Sequence, residues 1–358
     1  MRRLVSTRYL VLIAGCAFII LIFYRDLLYT KINEYQNVES MAVPFDKGEE
    51  IIDLNRKPTV IDISEDKAKV VDTPDDKTKA IDTPEDKAKT VLEPNRKTLM
   101  NGYSDCIAQK VNPLPADQVW HGLVQFVADC EKTSGLNISA FAALQNEDEI
   151  KYHLPAKVSI ESCLVLSLGV GLDTRSEEAL HNVQPQCHFI GSDPTVQGNK
   201  ELYEKIGKFH PYAIGNSNGV VESVVINGFD NKYRRENLTT MEFVKFMKEH
   251  VNETLVDNLF LDAEYAEYGL FSYFLKGGNL DTSGIVICQV NIEIHKPNAQ
   301  QTEEFASFLK KLLEEKRYSV FKVFKVDIWD HHRVILINYD QDQCVERYFS
   351  MKDGVLHL

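Results

Sequence analysis

The run Val165-Leu166-Ser167-Leu168 ends in Gly169-Val170-Gly171, and a charged, helix-compatible segment from Arg175 to Leu180 follows. That order is a strand, a tight turn and the start of a helix. Glycines let the backbone come close to a ligand, and a helix N-terminus presents unpaired N–H groups. The same order also builds an ordinary strand-to-helix turn. By itself it therefore constrains fold more than function: an apolar strand of this kind needs strands beside it and helices over it.

The residues downstream supply both. Val158 to Leu168 forms the first strand region and Glu177 to Asn182 a helix. Cys187 to Gly191 is a second strand ending at Ser192-Asp193-Pro194, and Asn199 to Ile206 is helical. Tyr212 to Ile214 is a third short strand, Val220 to Ile226 an extra one, and Thr240 to His250 an amphipathic helix. Leu255 to Leu261 is a fourth strand ending at Asp262. Tyr268 to Leu275 is a helix stopped by Gly277-Gly278. Ile285 to Val290 is a β-branched fifth strand. Thr302 to Glu315 is a helix capped by Thr302, with Phe305, Phe308, Leu309 and Leu312 buried. Tyr318 to Val326 and Val334 to Tyr339 close the chain as strands. Strands alternating with helices predict an α/β fold, a doubly wound and mostly parallel sheet covered on both faces.

Upstream, Pro115 to Trp120 reads as a helix start, and Trp120, Leu123, Val124 and Val127 follow at helical spacing as core residues. Glu147 to Lys151 is charged and leads into a loop at Tyr152 to Pro155. Residues 100–157 are thus a helical lead-in, and residues 158–358 the α/β domain.

The N-terminus has a different character. Arg2, Arg3 and Arg8 precede sixteen uncharged residues, Tyr9 to Tyr24, closed by Arg25-Asp26. At 1.5 Å per residue such a helix is about 24 Å long, short of a ~30 Å hydrocarbon core. A thinner membrane or snorkelling arginines accommodate it. A cleaved signal peptide lacks its small-residue site, and Ile13-Ala14-Gly15-Cys16 resembles a lipobox whose apolar run continues too far. A signal anchor fits best, with residues 1–8 cytosolic, 9–24 spanning, and a lumenal body in the Golgi or endoplasmic reticulum. Residues 25–99 hold a decapeptide repeat, clearest as Val71 to Ala80 followed by Ile81 to Thr90. Each unit has too few apolar residues for a core, which predicts a disordered stem.

The net charge of −13 argues against a nucleic-acid partner. Asn137, Asn237 and Asn252 each begin a glycosylation triplet. Six cysteines lie beyond the span. Cys106 and Cys130 flank one short region and make the preferred disulfide, whereas Cys163 and Cys288 sit in apolar strands as buried thiols. His331-His332 reads as a solvated loop.

Ligands of such sheets bind outside the carboxyl ends of the strands. Four strand ends carry candidates: the turn with Gly169 and Gly171; Asp193, about twenty residues on, where an acid takes ribose hydroxyls; Asp262 and Glu264 with Glu267 following; and Asn291, Glu293 and His295. An acid after a strand also serves as a helix cap.

The order LSLGVGLD, FIGSDP, YAIGNSNG, LFLDAEYAEYGLF and ICQVNIEIH, from about Val158 to Tyr339, resembles the FkbM-type methyltransferase family, in particular its membrane-anchored nematode branch. The segment LDAEYAEY is the most specific part, because that family has I-D-x-E-G-A-E there. The resemblance implies a seven-stranded class I methyltransferase sheet and S-adenosylmethionine as cofactor. It places Gly169 and Gly171 at the cofactor's methionine part, Asp193 at the ribose, and Asp262 and Glu264 at the sulfonium and acceptor. Ser167 stands where the family often has an acid, and Tyr265 where it has glycine.

Transfer to a hydroxyl needs a base, for which His295 and Glu264 are the candidates. The reading is an O-methyltransferase acting on a secretory-pathway acceptor such as a glycan, or another small molecule, with no metal. One alternative is a glycosyltransferase with the same topology, holding a metal on Asp262 and Glu264. The other is an inactive methyltransferase fold used for binding.

Overall fold

The structure, a computed structural model, describes residues 84–358 apart from 135, 137–139, 148, 227–232, 327–328, 353–354 and 358. The expected cytosolic tail, the expected span at 9–24 and the stem through residue 83 lie outside the described residues, as does Asn137. The expectation of a single-pass membrane protein is corrected: among the described residues, no helix is long and apolar enough to cross a membrane. The longest, α1 (Pro84–Val111), runs from Glu85-Asp86-Lys87 to Lys110 with charges between, and hydrocarbon strongly disfavours such side chains. This helix also begins inside the segment expected to be a disordered stem.

In chain order α2 (Ala116–Ser134) is followed by a small hairpin, β1 (Ala142–Gln145) and β2 (Ile150–His153), and then by β3 (Cys163–Leu168), α3 (Arg175–Val183), β4 (Cys187–Ser192), α4 (Asn199–Tyr203) and β5 (Lys208–His210). Next come β6 (Ala213–Gly215), β7 (Gly219–Ile226), β8 (Tyr233–Glu242), α5 (Phe243–Phe246) continuing as a π-turn (Met247–Val251), β9 (Leu255–Leu261), α6 (Glu267–Leu270), a 3₁₀ turn (Phe271–Phe274) and α7 (Asn279–Thr282). The chain closes with β10 (Val286–Ile294), α8 (Ala299–Glu315), β11 (Tyr318–Val326), β12 (His331–Asn338), α9 (Asp342–Tyr348), β13 (Ser350–Lys352) and β14 (Val355–His357).

Seven strands form one sheet in the order β11-β12-β10-β9-β3-β4-β5. Only β12 runs antiparallel to its neighbours, β10 and β11. Strand β3 lies between β9 and β4, so the chain crosses to one side after β3 and to the other after β5. Every residue of β3 is buried, and the two-residue period divides them between two cores. Leu164, Leu166 and Leu168 enter the large core with Trp120 and Phe305. Cys163 and Val165 enter the smaller one with Leu180 and Tyr203. An apolar strand with no polar face needs both.

The helical lead-in belongs to this body. Trp120, Leu123 and Val127 of α2 are buried as their spacing predicts, and Trp120 meets Phe305 edge-on at 5.2 Å. The Tyr103 hydroxyl of α1 donates to the Val320 carbonyl at 2.8 Å. A Cys106–Cys130 disulfide joins α1 to α2, as expected.

Several expectations are corrected by tertiary pairing. Cys163 and Cys187 are register partners on β3 and β4 and form a disulfide, and Cys288 pairs with Cys344 of α9; neither Cys163 nor Cys288 is a free thiol. The third strand of the main sheet is Lys208–His210. Tyr212 to Ile214 contributes instead to a three-stranded sheet, β6-β8-β7. Residues from Thr240 extend β8, because Gly219 to Ile226 offers a ladder down to Tyr233. The helix starts only after Glu242, whose carboxylate accepts from Val244 N at 3.1 Å and Lys245 N at 2.8 Å. Asn298, not Thr302, caps α8, taking Gln301 N at 3.0 Å. Tyr152 and His153, expected in a loop, belong instead to β2, which pairs with β1. His331 and His332 lie on β12, where His332 is fully buried against Trp120.

Candidate active site at the strand ends

Strand β3 ends in a turn whose backbone only glycine accepts. Gly169 has φ +90°, and a Cβ there would lie 1.8 Å from the Asp262 carbonyl oxygen. The two strand ends are that close because Asp262 N donates to Leu168 O at 2.9 Å. Gly171 (φ +65°) and Leu172 (φ +64°) complete the turn.

Asp193, at the end of β4, holds this turn from below. Its Oδ2 accepts from Val170 N at 2.8 Å and Gly171 N at 3.2 Å, and its Oδ1 accepts from Thr195 N at 2.8 Å. Burial raises its pKa above the ordinary carboxylate value although these donors oppose it. A carboxylate has about four acceptor sites, so capacity for ribose hydroxyls remains.

Ser167 points toward α3 and α4, on the same face as Cys163 and Val165. Its hydroxyl donates to Glu177 Oε1 at 2.7 Å and accepts from the Tyr203 hydroxyl at 3.0 Å. Glu177 is wholly buried on α3, with its second oxygen unpaired. Nothing in the sequence marks this residue, because its partner is ten positions away on another element.

The turn after β9 carries Asp262, Ala263, Glu264 and Tyr265. Glu264 (φ +46°) and Tyr265 (φ +76°) are both left-handed, which gives the physical reason a glycine suits position 265. His295 lies behind the two acids, at the end of β10. Its Nδ1 and its backbone N both meet Glu267 Oε1, at 2.8 and 2.9 Å. Its Nε2 lies 3.3 Å from Glu264 Oε2 and 3.7 Å from Asp262 Oδ1. Burial opposes charge on this ring, but the bonds to Glu264 and Glu267 outweigh it and lift its pKa to about 11. In this state His295 is a cation at neutral pH and takes no proton from an acceptor. The Asp262 carboxyl is raised as well, by burial and by Glu293 nearby, which for an acid favours the neutral form. Glu293 is paired with His331 Nδ1 and Arg333 Nε, each at 3.0 Å. Burial opposes its ionisation, yet these partners bring its pKa down to about 2.

A cleft opens between the glycine turn and the β6-β8-β7 sheet. Gly169, Gly171, Asp193, Asp262 and Glu264 all line it, beside Leu168, Pro194, Tyr212 and Ile214. His295 does not; it supports the two acids from behind. Asn291 is turned away and binds the β2 backbone, donating to Tyr152 O at 2.8 Å. The cleft joins an apolar wall for a flat ring, a glycine turn and acids at one switch point, a donor set that fits a nucleoside with a charged tail.

Residues 105–320, about 60% of the chain, match the family model described as the methyltransferase FkbM domain. The chain belongs to this family. S-adenosylmethionine is accordingly the cofactor of the FkbM domain. The uncharacterized Caenorhabditis elegans protein C28H8.7 is 23% identical over 108 residues, 30% of this chain and 36% of that protein, so the match spans about a third of its length. Among solved structures, Aeropyrum pernix fibrillarin with natively bound S-adenosyl-L-methionine is 11% identical, with a TM-score of 0.30 over 49% of this chain and 67% of that one. A caffeoyl-CoA O-methyltransferase-like protein of Staphylococcus aureus is also 11% identical, with a TM-score of 0.28 over 49% and 76%.

Proposed function

We propose that this FkbM domain is an O-methyltransferase whose acceptor hydroxyl enters the cleft beside Glu264. The observation that carries the reading is the convergence of Gly169, Asp193, Asp262 and Glu264 on one cleft at the switch point of the sheet. The bound cofactor supplies an electrophilic methyl group on a sulfonium. Asp193 suits the ribose hydroxyls, and Leu168, Pro194 and Ile214 a purine face. Asp262 and Glu264 line the cleft beside the glycine turn, where the sulfonium would sit, and Glu264 is placed to take the acceptor proton. Such transfer needs little beyond alignment and removal of water. Tyr265, 44% exposed at the turn, offers an aromatic face to a sugar ring, which supports a glycan as the acceptor class.

The family match leaves a nucleotide-sugar reading of Asp262 and Glu264 without support. Glu177 against Ser167 speaks against a decayed site.

Calorimetry of the purified protein with S-adenosylmethionine tests the reading. Saturable binding is expected, weakened at least about tenfold in Asp193→Ala, one lost charge-assisted hydrogen bond being worth about 1.5–3 kcal/mol. Unchanged affinity in that variant would overturn the site assignment.

A further inference from the structure

We propose that Asp262, Glu264 and His295 form a site for one divalent transition cation, of the manganese-to-zinc kind, at the inner end of the cleft. Their ligand atoms, one imidazole nitrogen and two carboxylate oxygens, all lie within 4.8 Å of one another. The His295 Nε2 is 3.3 Å from Glu264 Oε2 and 3.7 Å from Asp262 Oδ1. Metal bonds of about 2.0–2.2 Å to nitrogen and oxygen place neighbouring ligand atoms roughly that far apart.

Two further observations point to an ion. The first is the fixing of the histidine. Glu267 is wholly buried and takes both the backbone N–H and the Nδ1–H of His295 on one oxygen. This contact holds the ring with Nε2 turned toward Asp262 and Glu264, where an ion would take the place of the Nε2 proton. A carboxylate behind a histidine in this way sets the tautomer and basicity of a metal ligand. The second is Asp262 itself: its Oδ1 is enclosed and has no hydrogen-bond donor. An enclosed acceptor oxygen without a donor is costly, and a cation would satisfy it.

The site is also selective by position. The neighbouring group Glu293, His295 and His331 has a similar donor set. There, however, Glu293 is already bound by His331 and by the Arg333 guanidinium at 3.0 Å each, and a guanidinium repels an ion. Asp262 and Glu264, by contrast, line the cleft. Three protein ligands with the remaining positions open to a substrate is the arrangement of catalytic rather than structural sites. An imidazole in the set favours manganese, iron, cobalt or zinc over calcium or magnesium. The role of the ion rests on the methyltransferase reading: it would hold the acceptor hydroxyl oxygen and make its proton easier to lose. Binding of the ion does not depend on that reading.

The test uses the full chain, freed of metal with a chelator and titrated with manganese chloride and, separately, zinc chloride. Calorimetry is expected to give one ion per chain. His295→Gln and Asp262→Asn should each lower the affinity at least tenfold, and Glu267→Gln by about 10–100-fold with the stoichiometry kept. Pulsed electron paramagnetic resonance of the manganese-loaded wild-type protein should show coupling to an imidazole nitrogen, a readout that needs no variant. Absence of that coupling, unchanged affinity in His295→Gln and Asp262→Asn, or no saturation by either metal below about 1 mM overturns the proposal. S-adenosylmethionine binding is measured on the same preparation. Cofactor binding without metal binding sinks the ion site alone; metal binding without cofactor binding sustains the ion site and sinks the methyltransferase reading.

Discussion

The Ser167 hydroxyl donates to the Glu177 carboxylate at 2.7 Å, beneath the glycine turn. Through this bond α3 sets a buried carboxyl against a strand end whose own residue carries only a hydroxyl. Glu177→Ala is expected to lower stability by about 1–3 kcal/mol, because Ser167 and the Tyr203 hydroxyl lose their buried acceptor network. It should also weaken S-adenosylmethionine binding several-fold, with Glu177→Gln closer to wild type in stability than in affinity. Urea titration and calorimetry on the same variants check this. Wild-type affinity in both variants would leave Glu177 a packing residue only.

The two glycines of the turn should respond differently. At Gly169 an added Cβ collides with the Asp262 backbone, 1.8 Å away, so Gly169→Ala must separate β3 from β9. A loss above about 2 kcal/mol and of cofactor binding is expected. At Gly171 nothing lies within 4 Å, leaving only the positive φ to oppose alanine, about 1–2 kcal/mol. Thermal unfolding of the pair measures the contrast, and equal losses would contradict the close approach.

Acid should unfold the protein in two stages. Burial lowers the pKa of His153 and of His332 to about 4. The unfolded chain, at about 6.5, therefore binds more protons as pH falls from about 6.5 to 4, and stability drops over that window. Glu293 acts next. Its folded pKa of about 2 lies below the unfolded value of about 4.3, so its contribution is full above that value and is lost as pH falls toward 2. In His332→Phe the slope of unfolding free energy against pH should shrink between about 6.5 and 4 and stay unchanged below.

The disulfides should rank by the chain they enclose. Cys288–Cys344 spans 56 residues, against 24 for Cys106–Cys130. Loop-closure entropy gives about 4 kcal/mol for the first and about 3.5 for the second. Paired alanine substitutions followed by denaturant unfolding should preserve that order.

Much of the sheet was legible because its strands are apolar and punctuated. Tyr318 to Val326 and Leu255 to Leu261 needed only their own residues, and the strand ends at Gly169, Asp193 and Asp262 marked the cleft. Thr240 to Glu242 misled, because a polar stretch with helical spacing adopts a strand when β7 offers it a ladder. The hairpin of β1 and β2 was hidden by charge, since Lys151 and Glu149 are buried as an ion pair at 3.1 Å.

The alternation of strands and helices, the glycine turn and the acids that follow it could be read from the residues alone, because each depends on neighbours in the chain. Tertiary structure alone decided the disulfide partners of Cys163 and Cys288, the seat of Glu177 under Ser167 and the fixing of His295 by Glu267. Each of these joins side chains from separate elements, and what an ionisable or thiol group does depends on which neighbours the packed sheet brings within bonding distance.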